Sequence, residues 1–139
     1  LTGSEKAGAS LAENAGKNLK KSILELGGSD PFTLLDDANM DLVSKEIMIG
    51  RFGNMGQACT SSKRIIIDET LADEFTERLK KELSKLKAGD PMEKSTSIGP
   101  MSSQEAADKL AEQVADTVKA GAKLVVGGKL IVHFMNPQL

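Results

Sequence analysis

Short β-branched runs alternate with stretches of helical period along this chain, and that alternation constrains the fold more than any other feature. Lys63 to Asp68, with its three isoleucines, reads as a strand. Directly after it Leu71, Phe75, Leu79, Leu83 and Leu86 recur at helical spacing until Gly89 and Pro91 stop the helix. Upstream, a helix starts from Glu5 with Leu11, Ala15 and Leu19 on one face. Its lysines, Lys17, Lys20 and Lys21, lie near the C-terminal end, where they suit the helix dipole. A strand over Ser22 to Leu26 leads to Gly27-Gly28, and another over Phe32 to Leu35 leads to Asp36-Asp37. A helix from about Met40 turns Val43 and Ile47 inward and reaches toward Phe52, and Gly53 to Gly56 forms a turn. Downstream, Ser102-Ser103-Gln104-Glu105 reads as a capping box. The helix it opens buries Ala106, Leu110, Val114 and Val118 and ends at Gly121, and Lys123 to Val126 is a further strand before Gly127-Gly128. Strands alternating with helices imply an α/β fold with a largely parallel sheet.

A length of 139 residues suits one domain, and 40% hydrophobic with 27% charged residues is the balance of a soluble globular protein. The net charge of −2 provides no basic footprint for nucleic acid or an anionic membrane. The longest apolar runs, such as Ile65-Ile66-Ile67, are too short to span a bilayer, and no secretory leader opens the chain, which points to the cytoplasm. One cysteine, Cys59, excludes an internal disulfide and a cysteine-rich metal cluster. One histidine, His133, excludes a His-Cys pair near the thiol in sequence and metal sites built on several imidazoles. The four Phe, without Trp or Tyr, argue against base-stacking surfaces. Both ends read as cuts in a longer chain, with the tail Lys129 to Leu139 stopping mid-pattern.

Three segments can carry chemistry. Cys59 follows two glycines and an asparagine within Phe52-Gly53-Asn54-Met55-Gly56-Gln57-Ala58 and precedes Thr60-Ser61-Ser62. Such small neighbours let backbone and thiol approach a ligand, whereas a core cysteine usually sits among bulky apolar residues. Lys63 and Arg64 are close enough in sequence to favour a thiolate. Glu25 lies in Leu24-Glu25-Leu26-Gly27-Gly28. A carboxylate in an apolar strand is costly unless it is paired or its pKa rises, and strand alternation leaves open that it faces solvent. The glycine pair beside it favours a general base at a strand end. Thr2-Gly3-Ser4-Glu5-Lys6-Ala7-Gly8 is a strand-to-helix turn, read either as a plain capped helix start or as a place where helix amides meet a phosphate.

Together these segments resemble the aldehyde dehydrogenase superfamily over nearly the whole chain. Leu24 to Gly28 resembles its glutamate signature, and Phe52 to Cys59 resembles its cysteine signature, with Asn54, Gly56, Gln57 and Cys59 in place. Glu25 and Cys59 stand 34 positions apart (59 − 25), the family's separation. Gly3-Ser4 and Gly8 match the turn that approaches the coenzyme pyrophosphate, while Gly89-Asp90-Pro91 and Ile98-Gly99-Pro100 match the catalytic domain. Glu25 to Phe32 is similar to the version in bacterial succinate-semialdehyde dehydrogenases. Many of those enzymes carry a substrate-holding arginine directly after the residue equivalent to Phe52. Here that position is Gly53, and Arg51, two residues earlier, is either a weak substrate candidate or a solvated helix residue.

The resemblance implies a three-layer α/β/α architecture with a largely parallel sheet. Residues 1–26 would end a coenzyme-binding domain, and 27–139 would begin a catalytic domain. It implies Cys59 as the covalent nucleophile, Glu25 as the base that activates the hydrolytic water, and Gly3, Ser4, Gly8 and Leu26 at the coenzyme, NADP or NAD. The implied substrate is a small-molecule aldehyde, with no nucleic-acid or membrane partner and a homo-oligomeric parent. The family's oxyanion asparagine and adenosine-ribose lysine would precede Leu1, so the 139 residues alone are expected not to turn over. A non-catalytic α/β module that retains the motifs is the second reading.

Overall fold

Two parallel strands, β1 (Asp30–Leu34) and β2 (Ser62–Ile67), form the sheet of the computed structural model, which describes residues 1–128. Their pairing runs from Pro31 opposite Arg64 to Leu34 opposite Ile67. Asp30 lies opposite Ser62, so the register slips by one residue beside Pro31 and leaves Lys63 without a partner. Proline has no N–H to donate, and a ladder breaks most readily where one enters it.

Parallel strands need a crossover, and α2 (Met40–Phe52) supplies it. The Asn39 side chain starts this helix by accepting from the amides of Asp41 and Leu42, both at 3.1 Å. A 3₁₀ turn (Glu69–Leu71) leads from β2 into α3 (Ala72–Leu83), and Asp68 caps that turn by accepting from the Thr70 amide at 3.0 Å and hydroxyl at 2.7 Å. These two bonds hold the Asp68 carboxyl below its ordinary pKa, the hydroxyl contributing most. The core sits between sheet, α2 and α3. Leu34 and Ile47 are 2% and 0% exposed, Met40 and Phe75 are buried, and Phe32, Val43, Ile65, Ile67, Leu71 and Leu79 pack around them. Each fully buried aliphatic side chain of this kind contributes about 1.5–3 kcal/mol. Arg78 of α3 reaches across to Asp41 of α2 at 2.7 Å, and it also pairs with Glu74, so its guanidinium is held more firmly protonated.

A second parallel pairing joins the chain start to the segment before β1. Thr2 bridges Glu25, the Glu25 amide donates to Leu1 at 2.8 Å, and the Gly3 amide donates to Glu25 at 2.9 Å. The expected strand over Ser22 to Leu26 therefore reduces to one bridge, because only Leu1 to Gly3 flank it among the described residues.

Other expectations change at the element ends. α1 (Glu5–Lys17) closes with the amides of Leu19 and Lys20 donating to Gly16 and Ala15, the double bond of a Schellman cap. That cap needs a left-handed residue, and here Leu19 fills it at φ 54 and 95% exposed rather than continuing the apolar face. α4 (Gln104–Lys119) ends in the same cap with Gly121 at φ 105. Its cap residue is Ser103, which puts Ala106 where a capping box needs an acid or amide, so Glu105 pairs instead with Lys109 at 2.6 Å. No residue of α4 is fully buried, and Leu110 and Val118 are exposed. α3 stops at Leu83, short of Leu86. Lys123 to Val126 forms no strand, as no neighbour among the described residues offers it a ladder. His133 and the rest of the tail lie outside the described residues. No helix of the described residues is long and apolar enough to cross a membrane.

Candidate active site

Cys59 occupies the turn directly before β2, and Gly28 lies two residues before β1. Because β1 and β2 start side by side, the two segments run against each other. A Cβ placed on Gly28 would stand 2.5 Å from the Cys59 carbonyl oxygen, so a side chain there has no room. The Arg64 Nε donates to the Ser29 carbonyl at 2.9 Å and fastens the same junction one step further on. Glu25 sits on the far side of Gly27-Gly28, at the end of the pairing with Leu1 to Gly3. The segment that follows Glu25 and the cysteine turn thus adjoin along a seam. On one side is the C-terminal end of the pairing between Leu1 to Gly3 and the Glu25 segment, and on the other the N-terminal ends of β1 and β2.

Cys59 is exposed, and its amide finds no hydrogen-bond acceptor among the described residues. Glu25 is also exposed, which is the solvent-facing alternative that strand alternation left open. The run before Cys59 explains its presentation. Asn54, Met55 and Gly56 are all left-handed, at φ 49, 60 and 71. Such a conformation costs about 1–2 kcal/mol at an ordinary residue like Met55 and little at glycine. Arg51 lies across this turn. Its guanidinium packs where a Cβ on Gly56 would be and stands 5.7 Å from the centre of the Phe52 ring.

Lys63 departs from its expected role. As the unpaired residue of the register slip it curls back, and its Nζ donates to the carbonyls of Ala58 at 2.8 Å, Ser61 at 3.4 Å and Cys59 at 3.5 Å. Both cations near the thiol therefore spend their hydrogen bonds on backbone oxygens, Lys63 within the turn and Arg64 at Ser29. Sequence reasoning missed this because a lysine's direction leaves no trace in spacing.

Next to the seam is an open recess of about 550 Å³ lined by Gly3, Ser4, Glu5, Lys6, Gly27, Gly28 and Ser29. The Ser4 hydroxyl caps α1 by accepting from the Ala7 amide at 3.3 Å. Helix geometry leaves the Glu5 and Lys6 amides without intrahelical acceptors at its rim. A helix start of this kind, opened by a residue as small as Gly3, suits a phosphate. Gly8 and Leu26 lie behind the recess rather than in it. Gly8 is buried, and a Cβ on it would stand 2.7 Å from the Leu26 side chain, so this pair sets how closely α1 approaches the Glu25 segment. Gly27, Gly28 and Ser29 were missed as lining residues, although Gly27-Gly28 was visible as a turn.

Residues 1–138 match the family model described as the aldehyde dehydrogenase family, and the chain belongs to that family. It is 50% identical over 140 residues to an NADP+-dependent succinate-semialdehyde dehydrogenase of Deinococcus radiodurans, covering 99% of this chain and 29% of that protein. It is 46% identical to an NAD(P)+-dependent succinate semialdehyde dehydrogenase of Escherichia coli, covering 93% of this chain and 28% of that protein. A crystal structure of succinic semialdehyde dehydrogenase from Streptococcus pyogenes in complex with NADP+ superposes with a TM-score of 0.92. It is 49% identical and covers 96% of this chain and 29% of that one. The α/β class expected from the alternation of elements holds, and the fold is that of aldehyde dehydrogenases. The chain spans under a third of the length of these relatives.

Proposed function

We propose that the protein oxidises a small aldehyde, succinate semialdehyde in the first instance, to its carboxylate with NADP or NAD, through covalent capture on Cys59. The observation that carries this reading is the backbone contact of Gly28 with Cys59, which puts the Glu25 segment and the cysteine turn on one seam beside the recess. The substrate and coenzyme follow from the relatives, which are named as NADP+- or NAD(P)+-dependent succinate-semialdehyde dehydrogenases. Arg51 is the candidate for the substrate's distal carboxylate. Residues 1–26 belong in this reading to a coenzyme-binding domain and 27–139 to a catalytic one. The seam between the two parallel pairings supports that division. A homo-oligomer in the cytoplasm completes the proposal. Because the chain covers under a third of its relatives, the activity is proposed for the full-length protein and not for these 139 residues alone.

In this mechanism the Cys59 thiolate attacks the aldehyde carbon and forms a thiohemiacetal. The unpartnered Cys59 amide stabilises the developing oxyanion. Ser4 and the first-turn amides of α1 would hold a phosphate of the coenzyme, which when bound would supply the acceptor for the hydride that leaves the thiohemiacetal carbon as the thioester on Cys59 forms. Glu25 then takes a proton from water, the hydroxide adds to the thioester carbon, and the acid leaves as the thiolate returns.

Glu25→Gln keeps the side-chain shape and removes its basicity. The expected result is a burst of about one equivalent of reduced coenzyme per site, followed by turnover slowed roughly a hundredfold to ten-thousandfold. Cys59→Ser removes the burst. An unchanged steady-state rate in Glu25→Gln refutes the base assignment, and a burst that survives in Cys59→Ser refutes the nucleophile.

A further inference from the structure

The left-handed run Asn54–Met55–Gly56 ends three residues before Cys59, and the side chain that closes it is Gln57. Its amide is used at both ends. Oε1 accepts from the Ser102 amide at 2.7 Å, and Nε2 donates to the Asn54 carbonyl at 3.1 Å and, at longer range, to the Pro100 carbonyl at 3.5 Å. The backbone of Gln57 repeats the tie, its amide donating to Asn54 at 3.1 Å and its carbonyl accepting from the Asn54 side chain at 3.4 Å. The orientation of the amide is forced, because only oxygen can face the Ser102 N–H and only nitrogen the two carbonyls.

Pro100 and Ser102 lie 43 and 45 positions along the chain, on a segment that is itself anchored. Ala88 bridges Ile98, Gly89 donates to Ile98, and the amides of Ser97 and Ile98 donate to Lys87. One side chain therefore fastens the cysteine turn to a closed loop leading into α4. On the other flank of Cys59, Lys63 gathers the carbonyls of the same turn.

We propose that Gln57 is a positioning residue: its Nε2 closes the left-handed run on the Asn54 carbonyl while its Oε1 ties that run to Ser102, and the two bonds together set the direction in which the Cys59 thiol leaves the backbone. The proposal rests on Cys59 being the nucleophile, and its test separates the two. In the full-length protein, Gln57→Met preserves length and loses both hydrogen-bonding functions, whereas Gln57→Glu keeps the acceptor and loses the donor. Hydrogen exchange at Ser102 is expected to be about fivefold to tenfold faster in Gln57→Met and to stay at the wild-type rate in Gln57→Glu. In both variants kcat is expected to fall about tenfold, with KM for aldehyde and coenzyme within about twofold, since a displaced nucleophile costs rate and not binding. Loss of Ser102 protection in Gln57→Glu as well, its retention in Gln57→Met, or an unchanged kcat in both variants overturns the proposal. If Gln57→Met accelerates exchange throughout α2 as well, the Gln57→Glu result alone decides. If wild-type protein fails to reduce coenzyme with any aldehyde, the dehydrogenase reading falls, and the exchange pattern with the alkylation rate of Cys59 then decides the clamp.

Discussion

Gly28→Ala tests the seam at its tightest point. The added carbon would stand 2.5 Å from the Cys59 carbonyl oxygen and 3.5 Å from its carbonyl carbon, where real Cβ atoms do not come closer than 3.0 Å. The Glu25 segment and the cysteine turn must therefore part by roughly half an ångström or more, with overpacking of this kind costing about 1–3 kcal/mol. Gly28 is not among the residues at positive φ, so space alone causes the effect. A displacement near 1 Å costs about a hundredfold in rate, so roughly tenfold is expected from half that distance. Gly27→Ala is the control. A Cβ on Gly27 meets nothing within 4 Å, yet Gly27 lines the recess. Its unfolding free energy is expected to stay within about 0.5 kcal/mol of wild type, with any loss confined to coenzyme KM. Denaturant unfolding and single-turnover kinetics on both variants separate these outcomes. Equal effects in the two variants, or wild-type stability and rate in Gly28→Ala, refute the reasoning.

Ile47→Ala, at 0% exposure, is expected to lower the unfolding free energy by about 2–5 kcal/mol, read from the denaturant midpoint; a loss under about 1 kcal/mol would mean that the site collapses around the change. Leu19→Gly removes a left-handed leucine from the α1 cap and is expected to stabilise by about 1 kcal/mol; destabilisation would show that the exposed side chain has a partner. Thr70→Val deletes the hydroxyl that contributes most to the depressed pKa of Asp68, so an NMR titration should show that pKa rising. Because the folded value lies below the unfolded one, the stability linked to Asp68 is present above the ordinary carboxylate range and is lost as pH falls through the folded value. An Asp68 titration unmoved by the substitution would assign the shift elsewhere.

The legible parts of this chain are those where chemistry or packing demands a residue type at a fixed place. Gly27-Gly28 stands out as a turn because glycines end a strand, and Val43 and Ile47 stand out because one helical face must be apolar. Leu19 misled because a helical period does not reveal where a helix stops, and a Schellman cap accepts leucine at a cost as it accepts Gly121 without one. The contacts of Lys63 and Gln57 were out of reach for a different reason. Their hydrogen bonds go to backbone groups, every residue has those, and the contact of Gln57 with Ser102 spans 45 positions without a repeating pattern. Lys123 to Val126 has strand composition, but a strand is a property of two segments and not of one.

The parallel register of β1 and β2 has a consequence for the 34-residue interval between Glu25 and Cys59. Both strands begin at the seam, so the chain between them leaves that edge, turns at Leu35 to Asn39, and returns through α2 to where it started. The interval is then the perimeter of a closed circuit, not a ruler between two groups. Lengthening the circuit at its far corner, near Asp36-Asp37, would add residues to the count without moving either end. The ends of the circuit are held side by side by the Gly28–Cys59 approach and the first rung, Asp30 with Ser62, which leaves the excursion between them open to variation in length.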